Sequence, residues 1–354
     1  MSQLTINLSR LRVAVVGLGS IGNRHLNNLH QLGVEQRSVV RRSTQTNPAF
    51  ATPPDAEVCS SAEGAIAHGI DVAIICTPSS LHFPSAAPFI EAGIPVLIEK
   101  PLESTPRAAN RLVDLARQQG SYAAVAYCMR YHPAYRAAYE FICSGKLGEV
   151  SSAQAHFHTY LPDWHPYEDF RKSYAARADL GGGVIPTLDH EIDFLLWTLG
   201  PGRLIDARLT SGQESLQIDV PVAANLTVEH ESGLHSQISL DFSNRDFSRG
   251  FRFCGTTGEL RFDMDEGVLS FAVAECADQS DQPEKLAVAT ADDLNAMYLA
   301  MLRQTLTEIA TGTTPSTPLV AGVQSLEICD QAVRLNVKHE PNEIPVAGSR
   351  IGEV

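Results

Sequence analysis

Gly17, Gly19 and Gly22 stand in the run Gly17-Leu18-Gly19-Ser20-Ile21-Gly22, the G-x-G-x-x-G spacing that lets a backbone close on a pyrophosphate. In this spacing the first glycine turns tightly, the second admits the anion, and the third lets a helix pack on the preceding strand. The unpaired N–H groups at the start of that helix then donate to phosphate. About 20 residues further on, a site for an unphosphorylated dinucleotide would set an acid against a ribose hydroxyl. Arg41-Arg42-Ser43 stands there instead. Two guanidinium groups and a hydroxyl suit a 2'-phosphate by charge and by bidentate hydrogen bonding, so NADP is the expected cofactor and NAD the alternative.

Two further signatures, Thr77-Pro78-Ser79 and Glu99-Lys100-Pro101, fall at the carboxyl ends of apolar runs. Ends of that kind are where open α/β sheets bind ligands. Downstream, Gly181-Gly182-Gly183 leads into Thr187-Leu188-Asp189-His190-Glu191-Ile192-Asp193. Before the glycines lies a polar, aromatic loop containing Trp164 and Tyr167, followed by Arg171, Tyr174 and Arg177. Trp164 and Tyr167 offer faces on which a sugar stacks, and Arg177 would hold a carboxylate or phosphate. The same residues also suit a loop packed on its own aromatics. His156, His158 and His165 raise the question of a metal, but no carboxylate or cysteine completes a ligand spacing, so no metal is expected.

Positioning these groups requires a frame. The first third alternates short apolar runs with helical stretches, the pattern of βαβ units and a parallel sheet. Strands are expected at residues 11–16, 38–40, 57–59, 71–76, 94–98 and 122–128. Thr105 reads as the cap of a helix with Pro106 at its first position and Gly120 at its end. A boundary near residue 130 divides the chain into a dinucleotide-binding domain, 1–130, and a substrate-binding and oligomerisation domain, 131–354. The second domain reads as helices at 134–144 and 188–199. Strands at 150–158, 204–209, 223–229, 234–241, 250–254 and 259–263 form one antiparallel sheet, and closing helices lie at 292–310 and 320–336.

The 354 residues carry 41 acids against 27 bases, a net charge of -14, which makes nucleic acid and anionic membranes unsuitable partners. Any phosphate-bearing ligand must therefore be held by local groups. Seven cysteines without a C-x-x-C pair fit a reducing compartment, the cytoplasm. No basic-then-apolar leader opens the sequence, and no apolar run approaches the ~20 residues of a membrane span.

The glycine loop, the Thr77-Pro78 turn with His82 beyond it, the Glu99-Lys100-Pro101 triplet and the glycine run before His190 together resemble the glucose-fructose oxidoreductase / inositol dehydrogenase family (Gfo/Idh/MocA). The segment Gly145-Lys146-Leu147-Gly148-Glu149-Val150 is similar to that family's lead into its sheet. The resemblance implies an α/β protein. Its N-terminal domain is a Rossmann doubly wound parallel sheet, and its C-terminal α+β domain holds a large, mostly antiparallel open sheet through which a homodimer or homotetramer forms. It also implies NAD(P)-dependent hydride transfer at a carbinol carbon of a sugar, cyclitol or sugar derivative.

By position the resemblance makes Lys100 the lysine that hydrogen-bonds the reacting oxygen and His190 the histidine that takes or gives its proton. It places cofactor contacts at Gly17, Gly19, Ser20, Ile21 and Gly22, at Thr77, Pro78, Ser79 and His82, and at Glu99 and Lys100. Substrate contacts fall at Lys100, Arg130, Thr187, Asp189 and His190, beside Trp164, Tyr167 and Arg177. Chemistry agrees, because loss of hydride from a carbinol requires its hydroxyl proton to leave, and a histidine titrates near neutral pH. One departure stands out: Thr187 occupies the position where many members carry an acid. Either Thr187 orients substrate while Asp189 or Asp193 tunes the histidine, or the proton chemistry runs differently. The alternatives are a reductase or dehydrogenase of a nucleotide sugar or acidic sugar in surface-polysaccharide metabolism, and a catalytically silent nicotinamide-binding regulatory protein.

Overall fold

The computed structural model describes residues 8–41, 50, 52–164, 166, 168–274, 283–290 and 293–339. Its first half runs β1 (Arg12–Val16), α1 (Ser20–Gln31), β2 (Gln36–Val40), β3 (Glu57–Cys59), α2 (Ala62–Ala67), β4 (Val72–Ile75), α3 (His82–Glu91), β5 (Val96–Ile98), α4 (Pro106–Gln119) and β6 (Ala123–Val125). The strands pair in parallel in the order β3-β2-β1-β4-β5-β6, a doubly wound sheet whose order reverses between β1 and β4. Val13, Ala14, Val15, Val72, Ala73, Val96, Leu97 and Ile98 are fully buried, as strands covered by helices on both faces must be. The stop signals of α4 act as their chemistry requires. Thr105 Oγ1 accepts from Ala108 N at 3.3 Å, and Gly120 takes the left-handed conformation at φ 58.

Beyond β6 come α5 (Pro133–Cys143), β7 (Val150–Tyr160), α6 (Val184–Thr187), α7 (His190–Leu199), β8 (Gly202–Ser211), β9 (Pro221–His230), β10 (His235–Asp241) and β11 (Ser243–Gly255). There follow β12 (Gly258–Asp263), β13 (Val268–Val273), β14 (Glu284–Val288), α8 (Asp293–Thr311) and α9 (Leu319–His339). The second sheet has the order β14-β13-β12-β11-β7-β10-β9-β8. It is antiparallel except that β10 lies parallel to β7, from Ser236 beside Ala153 to Asp241 beside His158. The sheet is thus mostly antiparallel, as expected, with one parallel seam. The crossover through α7 starts β8 in the direction of β7, and two hairpin reversals then bring β10 back in that same direction. The sheet also extends past residue 263 through β13 and β14.

The two closing helices serve both sheets. α9 packs on β8 and α7 and also on α4 and β6, and residues 317–318 extend the first sheet at its edge, with Val125 N donating to Thr317 O at 2.9 Å. α8 meets α1 through a reciprocal amide pair, Asn28 with Asn295 at 3.2 and 3.1 Å. Among the described residues no helix is long and apolar enough to cross a membrane.

Candidate active site

The glycine loop closes between the two sheet halves. Gly17 holds φ +94 and its N donates to Val40 O at 3.0 Å, tying the loop to the end of β2. A Cβ on Gly22 would lie 2.1 Å from Gly17 O, whereas a Cβ on Gly19 would meet nothing within 4 Å. Gly19 caps α1 without any side-chain hydrogen bond, so the loop leaves open space in front of unoccupied helix N–H groups. The residues present therefore fit a dinucleotide pyrophosphate. Gly22→Ala is expected to destabilise the fold by about 1–3 kcal/mol through overpacking. Gly19→Ala should leave the denaturation midpoint unchanged and weaken cofactor binding, as chemical denaturation and fluorescence titration of the two variants would read. Arg41 follows β2, half-buried, its N donating to Cys59 O at 3.1 Å. Arg42 and Ser43 lie outside the described residues.

Several residues expected at the cofactor also brace the loops. His82 is 1 % exposed, with Nε2 2.8 Å from Thr77 O and Nδ1 3.1 Å from Leu102 O. Burial is the largest influence on its pKa and lowers it, while the ring bridges two strand-end loops through both carbonyl contacts. Thr77 Oγ1 donates to Ser85 Oγ at 3.3 Å, and Pro78 caps the short turn Ser79–Leu81. Ser79 is buried, its Oγ 3.3 Å from Tyr174 OH and 3.2 Å from Leu180 O, which links the first domain to the glycine run of the second. Glu99 joins α1 to the lysine segment: Oε1 lies 2.6 Å from Nε2 of the buried His25, and Oε2 accepts from Lys100 N at 3.1 Å.

Lys100 leaves the carboxyl end of β5 and reaches the second domain. Its Nζ donates to Thr187 O and lies 3.6 Å from Asp189 Oδ1. The first turn of α7 surrounds it with buried charge. Asp189, Glu191 and Asp193 are each 2 % exposed or less, and each pairs with a cation from a different part of the chain. Asp189 faces Lys100, Asp193 takes a bidentate contact from Arg130 at 2.9 and 2.6 Å, and Glu191 accepts from Arg249 of β11 at 2.7 Å. Helix geometry explains the division. Residues two apart on a helix point about 200° apart and residues four apart share a side, so Asp189 and Asp193 face the first domain while Glu191 faces the sheet. Arg130, expected at the substrate, pairs with Asp193 and ties α7 to the turn after β6. Asp193 in turn does not reach His190.

His190 is 8 % exposed and sits between these pairs, edge-on to Tyr127 with centroids 6.0 Å apart. Burial, and then the cations Lys100 and Arg249, hold its pKa well below the ordinary histidine value, so the ring is neutral at neutral pH. Asp189 accepts from Tyr127 OH at 3.1 Å. Burial raises its pKa to about 7 against the opposing pull of Lys100. Three buried polar atoms within four residues find no hydrogen-bond partner: Thr187 Oγ1, Asp189 Oδ1 and His190 Nδ1. Native interiors rarely leave such atoms unmet, and a concentration of them beside a lysine marks a place for ligand hydroxyls.

The aromatic loop turns its groups on itself. Trp164 Nε1 donates to Thr159 Oγ1 at 2.8 Å, and the indole packs on Phe157 and edge-on to Phe242. Arg177 is exposed and pairs with Asp179, while Arg171 pairs with Asp169. Tyr167 and His165 lie outside the described residues. His156 and His158 hydrogen-bond Ser248 and Ser239 at 2.8 and 2.9 Å, and no group of metal-binding side chains occurs among the described residues. Tyr127, Cys128, Arg249 and His25 contact these groups and carried no motif in the sequence, whereas Glu191 stood within the run from Thr187 to Asp193.

A Rossmann sheet with an open glycine loop, whose lysine at the end of β5 meets the helix of a second unit beside a buried histidine, defines a dinucleotide-dependent oxidoreductase fold. Residues 11–127 match the family described as oxidoreductase family, NAD-binding Rossmann fold, and residues 135–261 match the GFO/IDH/MocA C-terminal domain. The chain belongs to the GFO/IDH/MocA oxidoreductase family. Similar curated proteins include an inositol 2-dehydrogenase of Corynebacterium glutamicum, 28% identical over 195 residues, 54% of each chain. The chain thus spans about half the length of that relative (54%). A dTDP-3,4-didehydro-2,6-dideoxy-alpha-D-glucose 3-reductase of Streptomyces violaceoruber is 27% identical over 266 residues, 73% of this chain and 74% of that one. Among solved structures, GenD2 from gentamicin A biosynthesis in complex with NAD is 26% identical, with TM-score 0.77, covering 93% of this chain and 94% of that chain.

Proposed function

We propose that this protein is an NAD(P)-dependent dehydrogenase or reductase of a sugar, cyclitol or sugar derivative, with residues 1–130 holding the cofactor and 131–354 the substrate. The observation that carries this reading is the pair of buried atoms without a hydrogen-bond partner, Thr187 Oγ1 and His190 Nδ1, beside the Lys100–Asp189 ion pair. A bound nicotinamide would supply the acceptor or donor of hydride, its pyrophosphate held by the Gly17–Gly22 loop. Everything else falls to side chains of this chain. Lys100 Nζ donates to the reacting oxygen and supports the negative charge that develops there. In oxidation the substrate O–H bond breaks toward His190, whose neutral ring accepts the proton as the carbinol C–H bond breaks. Reduction returns the same proton. Thr187 Oγ1 orients a neighbouring substrate hydroxyl.

The polar character of these groups suits a neutral polyol. An acidic or nucleotide-linked sugar is less well served, because Arg171 and Arg177 are already paired with Asp169 and Asp179. A silent regulatory role is opposed by the assembly of Lys100, Asp189 and His190 in one place. The free thiols at Cys59, Cys76, Cys128 and Cys329 support a reducing, cytoplasmic setting. A homodimer or homotetramer through the second sheet, whose outer face exposes Gln154, Asn225 and Gln237, is part of the same proposal.

Absorbance at 340 nm with NADP or NAD across inositols, anhydrosugars, sugar acids and nucleotide sugars tests the reading. Turnover of a neutral polyol supports it, and tight cofactor binding without turnover of any substrate favours the regulatory alternative. NADP is the preferred cofactor on the strength of Arg41 and Arg42. Changing both to alanine removes charge-assisted hydrogen bonds worth about 1.5–3 kcal/mol each, so NADPH affinity is expected to fall roughly 100-fold or more. NADH affinity should stay within about two-fold by the same titration, a difference below 0.5 kcal/mol. Equal losses would end the 2'-phosphate assignment.

A further inference from the structure

Cys128 opens the turn Cys128–Tyr131 directly after β6 and is 1 % exposed. Its Sγ lies 3.8 Å from Nε2 of His190, within the range of a hydrogen bond to sulfur, while Nδ1 of the same ring has no partner. The two nitrogens of His190 are therefore unequal: one is held by the protein and the other is left for a ligand. We propose that Cys128 is a positioning residue for His190, holding Nε2 through its thiol so that Nδ1 is the atom that exchanges a proton with the substrate oxygen. This rests on the reading of His190 as the proton-exchanging group.

A thiol fits the task because it both accepts and donates weakly. In the neutral base form the ring carries its proton on Nε2, which donates to Sγ and leaves the Nδ1 lone pair free. During oxidation the substrate O–H breaks and its proton bonds to Nδ1, while a bound nicotinamide would supply the acceptor for the hydride of the C–H bond, so that the carbinol becomes a carbonyl. The resulting imidazolium keeps its Nε2–H directed at sulfur, so the ring need not rotate between turnovers. Fixing the second nitrogen of a working histidine is a general means of setting tautomer and ring plane.

The thiol has a second neighbour in Tyr298. Tyr298 of α8 is hydrogen-bonded to it. That tyrosine stands edge-on to His25, 6.0 Å away, and His25 is bound to Glu99 beside Lys100. The charged groups facing Cys128 are Glu99, Lys100 and Arg249. Those facing His190 are Lys100 and Arg249. Burial raises the thiol's pKa to about 12, which keeps it protonated and uncharged throughout the working range.

The test compares Cys128→Ala, Cys128→Ser and His190→Ala in the full chain, measuring kcat, KM, cofactor binding and denaturation midpoint on the substrate found by the 340 nm survey. Cys128→Ala is expected to lower kcat roughly 10-fold, a fraction of the 10²–10⁴ supplied by a positioned acid–base group, with KM changed less than about two-fold. Cys128→Ser, whose hydroxyl also accepts and donates, should restore most of that loss. Wild-type kcat in the alanine variant, or a folded serine variant no better than alanine, overturns the proposal. Retained turnover in His190→Ala overturns instead the reading on which it rests, and that result is legible whatever the Cys128 variants do.

Discussion

Lys100→Met and His190→Ala are each expected to lower kcat/KM by about 10³-fold or more while cofactor binding and the denaturation midpoint stay near wild type. Removing one preorganised donor from a developing oxyanion costs about 2.7–4 kcal/mol, and a positioned acid–base group contributes 10²–10⁴. Methionine keeps the length and apolar stem of the lysine, so packing between β5 and the α6–α7 junction survives. The charge left behind is also tolerable, because Asp189 already has a pKa near 7 and takes up a proton once its cation is gone. The double variant should be little worse than the poorer single one, since groups acting in one transition state are not additive. Steady-state kinetics with either nicotinamide decides the matter. If either single variant keeps more than about a tenth of wild-type kcat/KM, a loss of only 1.4 kcal/mol, its residue has no part in the chemistry.

The parts legible in the sequence were those whose information is local. Glycine spacing announced the loop, continuous apolar runs announced the six parallel strands, and Thr105, Pro106 and Gly120 marked both ends of α4. Partners were not legible. Arg130 and Asp193 stand 63 residues apart, and Arg249 and Glu191 stand 58 apart, so nothing near either acid tells which cation it will meet. Asp189, Glu191 and Asp193 could be read as acids near a histidine, but which of them faces Lys100 depends on how α7 is rotated between the two domains. Cys128 was silent for the same reason: a thiol after an apolar strand reads as core until His190 is packed against it. The aromatic loop was read two ways, and its local ion pairs favour the self-packed one. Its pairs Asp169 with Arg171 and Arg177 with Asp179 are two residues apart, a local signal that these arginines were already occupied. β13 was missed because the turn before it, Asp263 to Gly267, is dense in acids, although Leu269 and Phe271 then alternate inward as a half-buried strand should.

Asp189→Asn is expected to leave a more stable but slower protein, with both effects tied to the same proton. The folded-state pKa of Asp189, about 7, lies above the ordinary carboxylate value, and burial is the largest cause. A raised carboxylate pKa means that folding favours the protonated form, so the cost of ionising Asp189 is absent below the unfolded value. It grows as pH rises, reaching roughly 4 kcal/mol above pH 7, at about 1.36 kcal/mol per unit. Asparagine never bears that cost, so its denaturation midpoint should exceed wild type by more at pH 8 than at pH 5. Activity runs the other way. The cations Lys100 and Arg249 depress the basicity of His190, and an ionised Asp189 3.6 Å from Lys100 Nζ offsets part of that field. Oxidation by the wild type should therefore rise with pH through an inflection near 7 that belongs to the coupled cluster and not to one residue. In the asparagine variant that inflection should vanish, with kcat at pH 8 lower by about 10-fold, the equivalent of one pKa unit of lost charge interaction. A variant that kept the wild-type pH profile would show that Asp189 only braces Tyr127, and that the acid missing at Thr187 has no replacement in this site.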